Sequence, residues 1–331
     1  MKVAVVGMGA IGGLFAAWLG SRLPAGRVQL SALARGATLA ALQRDGLQWQ
    51  DAGAEPRPVA LNASDDAAAL GVQDLVIVAV KSPALAAVAP ALRQLCGPDT
   101  AVLVAMNGVP WWFFDGLGGA CDGLRLHSAD PGGLIQAALP TARVIGCVVH
   151  VSSAAPAPGQ VRHVNGNRLI LGEPAGGGSD RVDQVAGLLE GAGFAVTVSE
   201  RIQRDIWFKL WGNMTMNPVS ALTGAPSDRI LDDPLVRAFC SAVMLEAQAV
   251  GAAIGIPIDQ APEQRHAVTR KLGSFKTSML QDVEAGRPLE IDALVGTVRE
   301  IGQKVGVATP NVDALLGLVR LMAQQRGLYP R

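Results

Sequence analysis

The sequence predicts an α/β fold, in which an N-terminal parallel β-sheet with added antiparallel strands is followed by an all-helical C-terminal domain. Two observations lead to this prediction. Short apolar, β-branched runs alternate with helical patterns in the first part of the chain, which is typical of a parallel sheet covered by helices. From residue 201 onward, long helical patterns dominate. In this chain of 331 residues we therefore expect two domains, 1–200 and 201–331.

The first element is contained in "MKVAVVGMGAIGGLFAAWLG". A secretory signal or a membrane span would also be apolar, but residues 3–6 form a short β-branched run that is typical of a buried parallel strand. A G-x-G-x-x-G motif and a helical pattern follow. Gly7 permits a tight turn, Gly9 lets the backbone approach a pyrophosphate, and Gly12 lets the helix lie close to the strand. The stretch thus predicts a Rossmann-type dinucleotide site, consisting of Gly7, Met8, Gly9, Ala10, Ile11 and Gly12.

The next elements continue the alternation. Residues 27–35, "RVQLSALAR", predict a second strand that ends near Leu33, and residues 36–46 predict a helix. Residues 74–81 and 100–108 are further apolar strands, and a helix that begins after Pro83 connects them. Strands that alternate with helices in this way imply a parallel sheet with helices on both faces.

The remainder divides into two kinds of pattern. Residues 143–173 alternate in polarity and carry turn signals, which indicates antiparallel strands added to the sheet. A helix at 181–193 and a strand at 194–200 follow. Beyond these, the helical patterns are interrupted by Gly and Pro at residues 226–228, 255–257, 286–288 and 306–310. We expect the active site to lie in a cleft between the two domains.

The end of the second strand bears on the choice of cofactor. An NAD site usually has Asp or Glu there, which binds the ribose hydroxyls. This sequence has "ARGAT" at residues 34–38 instead. Arg35 would pair with a 2′-phosphate and stack on adenine, so NADP(H) is favoured. The alternative is that Arg35 is an ordinary solvated surface residue.

Composition excludes several other classes of function. The formal net charge is zero, 17% of residues are charged, and no long run of one sign occurs, so neither a nucleic-acid surface nor a polybasic membrane patch is expected. The four cysteines, Cys96, Cys121, Cys147 and Cys240, are widely spaced. Such spacing argues against a zinc site or a disulfide framework. We expect reduced thiols, no metal and a cytoplasmic location.

The segment "RDIWFKLWGNMTMNPVSALTG" at 204–224 carries the most informative chemistry. Lys209, Asn213 and Asn217 are spaced four residues apart, which places them on one helix face with offsets of about 40°. A bound polar substrate would satisfy these groups, whereas the alternative is a lysine and two asparagines in solvent. A lysine ammonium can protonate or bind the oxygen of a ketone as hydride reaches the carbon. No comparable setting surrounds the histidines, which are His127, His150, His163 and His266.

Taken together, these motifs resemble the ketopantoate reductase (2-dehydropantoate 2-reductase) family over nearly the whole chain. The resemblance runs in order through "GMGAIG", "VAVKS", "MNG" and "WFKLWGNMTMNPVSALTG". It closes with "SFKTSMLQDVEAGRPLEIDALVG" and "GVATPNVDAL", and these last two segments are specific to that family.

The resemblance implies a role for each matching residue. Lys209 matches the general acid that protonates the keto oxygen. Asn107 matches an asparagine that binds at the nicotinamide end of the cofactor and helps orient this lysine and the substrate. Glu290 matches the carboxylate that anchors the lysine and contacts the cofactor or substrate. The residues implied to bind substrate are Asn213 and Asn217, at the hydroxyl, and Ser278, at the carboxylate. Those implied to bind NADP are Gly7, Gly9, Gly12 and Arg35, with Lys81 lining the cofactor cleft.

Several of these residues also have a purely structural explanation. Asn107 and Gly108 form a favoured turn pair, and Glu290 and Asp292 would serve as capping or surface charges near a helix start. Ser278 could be an ordinary helix serine. The tryptophans and phenylalanines at 111–114 either pack in a core or narrow the substrate cleft. Residues 117–142 are longer than the connection expected in the family, and an insertion there would cover the site or contact a partner.

The predicted activity is the NADPH-dependent reduction of a 2-oxo acid. For ketopantoate the product is pantoate, a precursor in pantothenate biosynthesis. One alternative keeps the chemistry but changes the substrate to another branched or larger 2-oxo acid. Another is an NADP-binding regulator without catalysis. The apolar C-terminal helices would either pair in a homodimer or complete the core of a monomer.

Overall fold

The computed structural model describes residues 1–51 and 53–330. The chain folds as two compact units, each containing two segments. The first unit consists of Met1–Met106 and Gly133–Ile202, and the second consists of Asn107–Gly132 and Gln203–Arg331.

The first unit contains a ten-stranded sheet and its helices. Its strands are β1 (Lys2–Val6), β2 (Gln29–Leu33), β3 (Leu47–Gln50), β4 (Arg57–Val59), β5 (Asn62–Ser64), β6 (Gln73–Val78), β7 (Cys96–Val104), β8 (Val144–Ala154), β9 (Gln160–Gly172) and β10 (Ala195–Val198). Its helices are α1 (Ala10–Arg22), α2 (Gly36–Asp45), α3 (Ala67–Leu70), α4 (Ser82–Leu95), α5 (Leu134–Ala138) and α6 (Asp180–Gly191).

The centre of the sheet is parallel. The strand order is β4-β3-β9-β8-β7-β6-β1-β2-β5, and β10 pairs with β9. Val6 at the end of β1 lies opposite Leu33 of β2 on one side and Val78 of β6 on the other, while Val78 lies opposite Val104 of β7. The carboxyl ends of these four strands therefore share one edge of the sheet, where open α/β sheets bind ligands.

The added antiparallel strands are confirmed. β8 continues the parallel sheet beside β7 and then pairs in antiparallel orientation with β9. Beyond β9 the sheet returns to parallel pairing, with β3 and β10 along different parts of β9. The strands predicted at 74–81 and 100–108 end earlier than expected, at Val78 and Val104, because the chain leaves the sheet for loops at its carboxyl edge.

The core of the first unit forms around α1. Residues 12–19 of this helix are buried, because α1 packs against β9, β8 and β3 as well as β1. Trp18 lies 4.4 Å from Phe194 between ring centroids, and Phe15 lies 5.0 Å from the same ring. A helix buried on almost every side explains why the opening stretch is apolar enough to resemble a membrane segment.

The second unit is helical, as predicted. Its helices are α7 (Ile202–Thr223), α8 (Ser227–Asp232), α9 (Pro234–Ala253), α10 (Pro262–Arg270), α11 (Ser278–Glu284), α12 (Thr297–Val305) and α13 (Pro310–Gln325). A π-helical turn, Asp292–Gly296, leads directly into α12. The aromatic residues at 111–114 are at most 4% exposed, and Phe113 lies 6.0 Å from Trp207 between ring centroids, so they pack in the core of this unit.

One helix of the described chain, α9, is long and apolar enough to cross a membrane by length and composition. A single such helix is weak support for a membrane span, because core helices of soluble proteins meet the same criteria. Several residues of α9, including Cys240, Val243 and Met244, are buried in the second unit.

Candidate active site

The glycine turn after β1 has a geometry that other residues do not permit. Gly7 has a φ of +96°, and a Cβ there would lie 2.7 Å from the backbone nitrogen of Val80. A Cβ on Gly12 would lie 2.0 Å from the carbonyl oxygen of Gly7. Both positions therefore require glycine. A Cβ on Gly9 would meet nothing within 4 Å among the described residues, so the space beside Gly9 is open.

The first turn of α1 suits a phosphate group. Gly9 is the N-cap, and in the described chain no side chain caps the turn and no acidic residue lies in it. The N–H groups of such a turn lack intrahelical acceptors and favour an anion. Met8 and Ile11 pack against the core, and Ala10 is half-buried, so backbone forms the face of the turn. These residues fit the pyrophosphate of a dinucleotide.

Arg35 lies at the same edge of the sheet as the glycine turn, because β1 and β2 end in register. Its side chain is exposed, and the residue is the N-cap of α2. Residues 34–38 contain no Asp or Glu. A guanidinium in a segment without a carboxylate is compatible with a ribose phosphate, and the preference for NADP(H) stays a prediction.

Lys81 also lies at this edge. It is the N-cap of α4, it is half-buried, and it follows the end of β6 at Val78 by three residues. Because Val78 pairs with Val6, Lys81 belongs to the same end of the sheet as the glycine turn.

In the second unit, Lys209 of α7 contacts Asn107. The Nζ of Lys209 donates a hydrogen bond of 2.8 Å to the Oδ1 of Asn107. Both residues are half-buried. They lie 102 positions apart in the sequence, so the tertiary fold brings them together. The amide thereby fixes the direction of the ammonium, as an orienting residue must.

A backbone contact holds Asn107 in place. Gly108 has a φ of +82°, and a Cβ there would lie 2.3 Å from the carbonyl oxygen of Ala293 in the π-helical turn. That oxygen also accepts a hydrogen bond of 2.9 Å from the nitrogen of Val109. The Asn-Gly pair thus forms a bend held against the π-helical turn, and Asn107 at this bend contacts Lys209.

Asn217 and Ser278 form a second, looser pair in the same unit. The Nδ2 of Asn217 is 3.5 Å from the Oγ of Ser278, and Asn217 is 6% exposed whereas Ser278 is exposed. Ser278 is the first residue of α11, whose N-cap is Thr277. Asn213 lies between Lys209 and Asn217 along α7 and is half-buried.

Glu290 is buried, with 8% of its surface exposed, just before the π-helical turn. Its carbonyl oxygen accepts a hydrogen bond from the nitrogen of Leu294. A carboxylate at this depth requires a cationic or hydrogen-bonding partner, which suits an anchoring role toward the lysine. The surface-charge alternative does not describe this residue, whose role in catalysis stays a prediction.

The C-terminal tail forms a contact that the sequence did not indicate. The hydroxyl of Tyr329 donates to the carboxylate of Asp292, 2.9 Å from both oxygens, and the nitrogen of Leu289 donates to the carbonyl of Leu328. Burial raises the pKa of Asp292, and burial together with this carboxylate raises the pKa of Tyr329 to about 12. The tail therefore braces the segment on both sides of Glu290.

The histidines have structural settings where their contacts are described. His163 contacts the carboxylate of Asp51 at 2.9 Å, and His266 is 4% exposed and lies 3.0 Å from the hydroxyl of Ser241. Burial lowers the pKa of His266. The four cysteines are free thiols, and among the described residues no group of three or more His, Cys, Asp or Glu side chains is arranged to hold a metal ion.

Comparison with known proteins identifies the family to which nearly the whole chain is similar. Residues 3–111 match the family model described as "Ketopantoate reductase PanE/ApbA", and residues 201–323 match "Ketopantoate reductase PanE/ApbA C terminal". A protein of Mesorhizobium japonicum named 2-dehydropantoate 2-reductase is 45% identical over 329 residues, which cover 99% of this chain and all of that protein.

Solved structures agree with this similarity. A Ralstonia solanacearum protein provisionally assigned as a ketopantoate reductase is 60% identical, with a TM-score of 0.94 and 99% of each chain covered. D-mandelate dehydrogenase, solved with NADH and anilino(oxo)acetate, is 21% identical with a TM-score of 0.82, over 99% of this chain and all of that chain. At that identity the likeness shows the fold alone.

The full-length identity, together with the dinucleotide-binding fold, defines the protein as an oxidoreductase of the 2-dehydropantoate 2-reductase type. The chain belongs to the ketopantoate reductase PanE/ApbA family.

Proposed function

We propose that the protein reduces a 2-oxo acid with NADPH, and that this acid is 2-dehydropantoate, which it converts to pantoate for pantothenate biosynthesis. The observation that carries the proposal is the hydrogen bond of 2.8 Å between Lys209 and Asn107. It gives an ammonium group a fixed direction in a half-buried setting, which a general acid needs.

In this proposal Lys209 donates a proton to the keto oxygen as negative charge develops there. Asn107 keeps the ammonium oriented, and Glu290 anchors it from a buried position. The nicotinamide supplies the hydride when the cofactor is bound. Glycine-turn residues 7–12 and Lys81 bind the cofactor, and Arg35 selects NADPH over NADH through the 2′-phosphate.

Substrate binding is assigned to the rest of the α7 face. Asn213 and Asn217 would bind the hydroxyl of the substrate, and Ser278 its carboxylate. Asn217 and Ser278 already approach each other at 3.5 Å, a long contact that leaves donors and acceptors available to a ligand. The first unit then serves the cofactor, and the second unit, which contains Asn107 as well as Lys209, serves the substrate.

The second candidate substrate is another branched or larger 2-oxo acid. The fold is shared with D-mandelate dehydrogenase, so the same framework accommodates different acids. The third candidate function is that of an NADP-binding regulator without catalysis. The cytoplasmic location and the choice between a monomer and a homodimer remain predictions, as does the expectation that neither nucleic acid nor membrane is a partner.

The decisive experiment measures NADPH oxidation by ultraviolet absorbance with 2-dehydropantoate and a panel of other 2-oxo acids. Highest kcat/KM with 2-dehydropantoate is the expected result. Turnover of other acids but not of 2-dehydropantoate would favour the second substrate class. Tight NADPH binding without turnover of any acid would favour the regulator.

A further inference from the structure

Arg265 of α10 places a second cationic group beside the α7 face. Its guanidinium carbon lies 5.3 Å from the centroid of the Phe208 ring. The guanidinium also lies directly over Gly212, where a Cβ would come within 2.7 Å of Arg265 Nε and 3.0 Å of its Nη2. The absence of a side chain at Gly212 is thus what allows the guanidinium to approach α7.

Among the described residues, this guanidinium has a ring contact with Phe208 but no hydrogen-bond or ion-pair partner. Its Nε is buried and forms no hydrogen bond within residues 1–51 and 53–330, and the same residues provide no ion pair for the guanidinium. Burial lowers the pKa of Arg265, and no carboxylate opposes the shift. Burying an unpaired cation costs free energy, so an arginine in this setting is expected to have a ligand.

The position of the guanidinium relative to Lys209 indicates what the ligand is. Between residues 206 and 221 of α7, the partly exposed side chains are those of Phe208, Lys209 and Asn213, and all the others are buried. These three span an arc of about 140° on the helix, and Gly212 falls inside it, about 60° from Lys209. Arg265 therefore covers part of the open side of α7 from which Lys209 acts.

We propose that Arg265 forms an anion subsite beside Lys209, in which its guanidinium binds a carboxylate of the 2-oxo acid. The proposal rests on the proposed function. Arg265 is half-buried as a residue, so its terminal nitrogens stay within reach of a ligand while Phe208 and Gly212 hold the group in place. A planar guanidinium that is fixed in this way recognises a carboxylate with little loss of side-chain entropy.

Two carboxylates could occupy the subsite. One is the C1 carboxylate that every 2-oxo acid carries, and the other is a distal carboxylate on a 2-oxo dicarboxylic acid. Ser278 is next to Asn217, which lies five residues beyond Gly212 on α7, whereas Arg265 approaches α7 at Gly212. If Ser278 binds the C1 carboxylate, Arg265 is therefore available for the distal carboxylate. The experiment distinguishes these two sources.

The first test compares Arg265→Met with the wild type. We expect KM for the 2-oxo acid to rise roughly 10- to 100-fold, the scale for losing a charge-assisted hydrogen bond, with unchanged NADPH affinity. The melting temperature should stay equal or rise, because an unpaired buried cation is removed. Arg270→Met on the same helix removes an exposed ion pair with Asp232 and should leave KM unchanged.

KM values for a monocarboxylic and a dicarboxylic 2-oxo acid show which carboxylate of the substrate Arg265 binds. Equal losses in Arg265→Met assign the subsite to the C1 carboxylate, whereas a loss confined to the dicarboxylic acid assigns it to the distal one. Unchanged KM for both acids would overturn the proposal, and a lower melting temperature with unchanged KM would show that the arginine is structural.

A second variant tests the arrangement without removing the arginine. Gly212→Ala introduces a Cβ that must displace the guanidinium, so KM should rise as in Arg265→Met. In the Arg265→Met background the same substitution should add little, because the group it displaces is gone. If KM in the double variant rose by the product of the two single-variant factors, Gly212→Ala would not act through the guanidinium of Arg265.

Failure of the proposed function is separable from failure of the subsite. If the wild type reduces no 2-oxo acid, the proposed function is wrong, and the subsite is judged by calorimetric binding of oxamate and N-oxalylglycine. These are a monocarboxylic and a dicarboxylic 2-oxo acid analogue that resist hydride reduction. Tighter binding of either analogue by the wild type than by Arg265→Met supports the subsite. Equal binding of both analogues by the two proteins overturns it.

Discussion

The glycine turn after β1 and the lysine site on α7 are built in opposite ways. The turn occupies six consecutive residues, and its surface is backbone, with glycine required at positions 7 and 12 by direct contact with other backbone atoms. The proposed lysine site consists of side chains from segments that are far apart in the chain, near residues 107, 209, 278 and 290. The first is specified locally and the second by the tertiary fold.

The difference has a functional consequence. A backbone site recognises what all dinucleotides share, namely the pyrophosphate, and side-chain changes around it matter little. A site composed of side chains recognises what distinguishes one substrate from another, and it changes with single substitutions. We therefore expect specificity to reside on α7 and α10, and general cofactor binding to reside in the turn.

The largest expected effect is that of Lys209→Ala. Loss of the proposed general acid should lower kcat by about 10²–10⁴-fold while NADPH affinity stays nearly unchanged, because the proposed cofactor residues are different ones. Steady-state kinetics and a direct NADPH titration measure the two quantities. Lys271→Ala, at an exposed lysine beyond α10, is the matched control. Turnover that survives in Lys209→Ala would remove this residue from the mechanism.

The two kinds of glycine in the turn provide the next test. Gly12→Ala forces a Cβ against the carbonyl of Gly7 and should lower the free energy of unfolding by about 3 kcal/mol, along with NADPH affinity. Gly9→Ala meets open space and should leave stability within about 1 kcal/mol, while NADPH affinity falls about tenfold or more because the pyrophosphate is held off.

Denaturant titration and NADPH binding separate the two variants. If Gly9→Ala bound NADPH as tightly as the wild type, the open space at Gly9 would not be the place where phosphate approaches. If Gly12→Ala retained full stability, the close contact with Gly7 would be relieved by movement of the turn.

Arg35→Ala should have a smaller and more selective effect. Removal of the charge-assisted contact to a 2′-phosphate should weaken NADPH roughly 10- to 100-fold and leave NADH within about twofold. Dissociation constants for both cofactors, measured in one buffer because such contacts depend on salt, give the ratio. Equal losses for NADPH and NADH would assign Arg35 to adenine stacking or to the surface instead.

Sequence patterns predicted the parts of the fold that are set by local periodicity. The first strand-turn-helix, the antiparallel pair β8 and β9, and the helices from residue 202 onward were all indicated. The three short strands β3, β4 and β5 were missed, because each has only three or four residues and partly polar composition. Such strands form only where a neighbouring edge is available, and a local pattern does not record that.

The sequence also predicted part of the candidate site. The helical spacing placed Lys209 and two asparagines on one face, but the contact with Asn107 followed from family resemblance alone. Two contacts were not predicted. Arg265 lies over Gly212 from another helix, and Tyr329 reaches Asp292 across 37 positions of sequence. A glycine in the middle of a helix was the available sign that something packs closely there.

The smallest effect concerns the brace between Tyr329 and Asp292, and it is directly observable because Tyr329 is the only tyrosine of the chain. Burial and the neighbouring carboxylate raise the pKa of Tyr329 to about 12. Phenolate absorbance should therefore titrate near pH 12 in the folded protein, and near pH 10 in denaturant.

Since the folded protein holds this proton more tightly, the brace stabilises the fold fully below about pH 10 and loses that contribution as the pH rises toward about 12. Asp292→Asn keeps the buried volume but removes the negative charge, so it should lower the pKa of the phenol in the folded state. Tyr329→Phe should flatten the dependence of unfolding free energy on pH in the same window. A phenol that titrates near pH 10 in the folded wild type would mean that the tail does not hold Asp292. The contact between Val109 and Ala293 in the π-helical turn would then be left to hold the segment after Glu290.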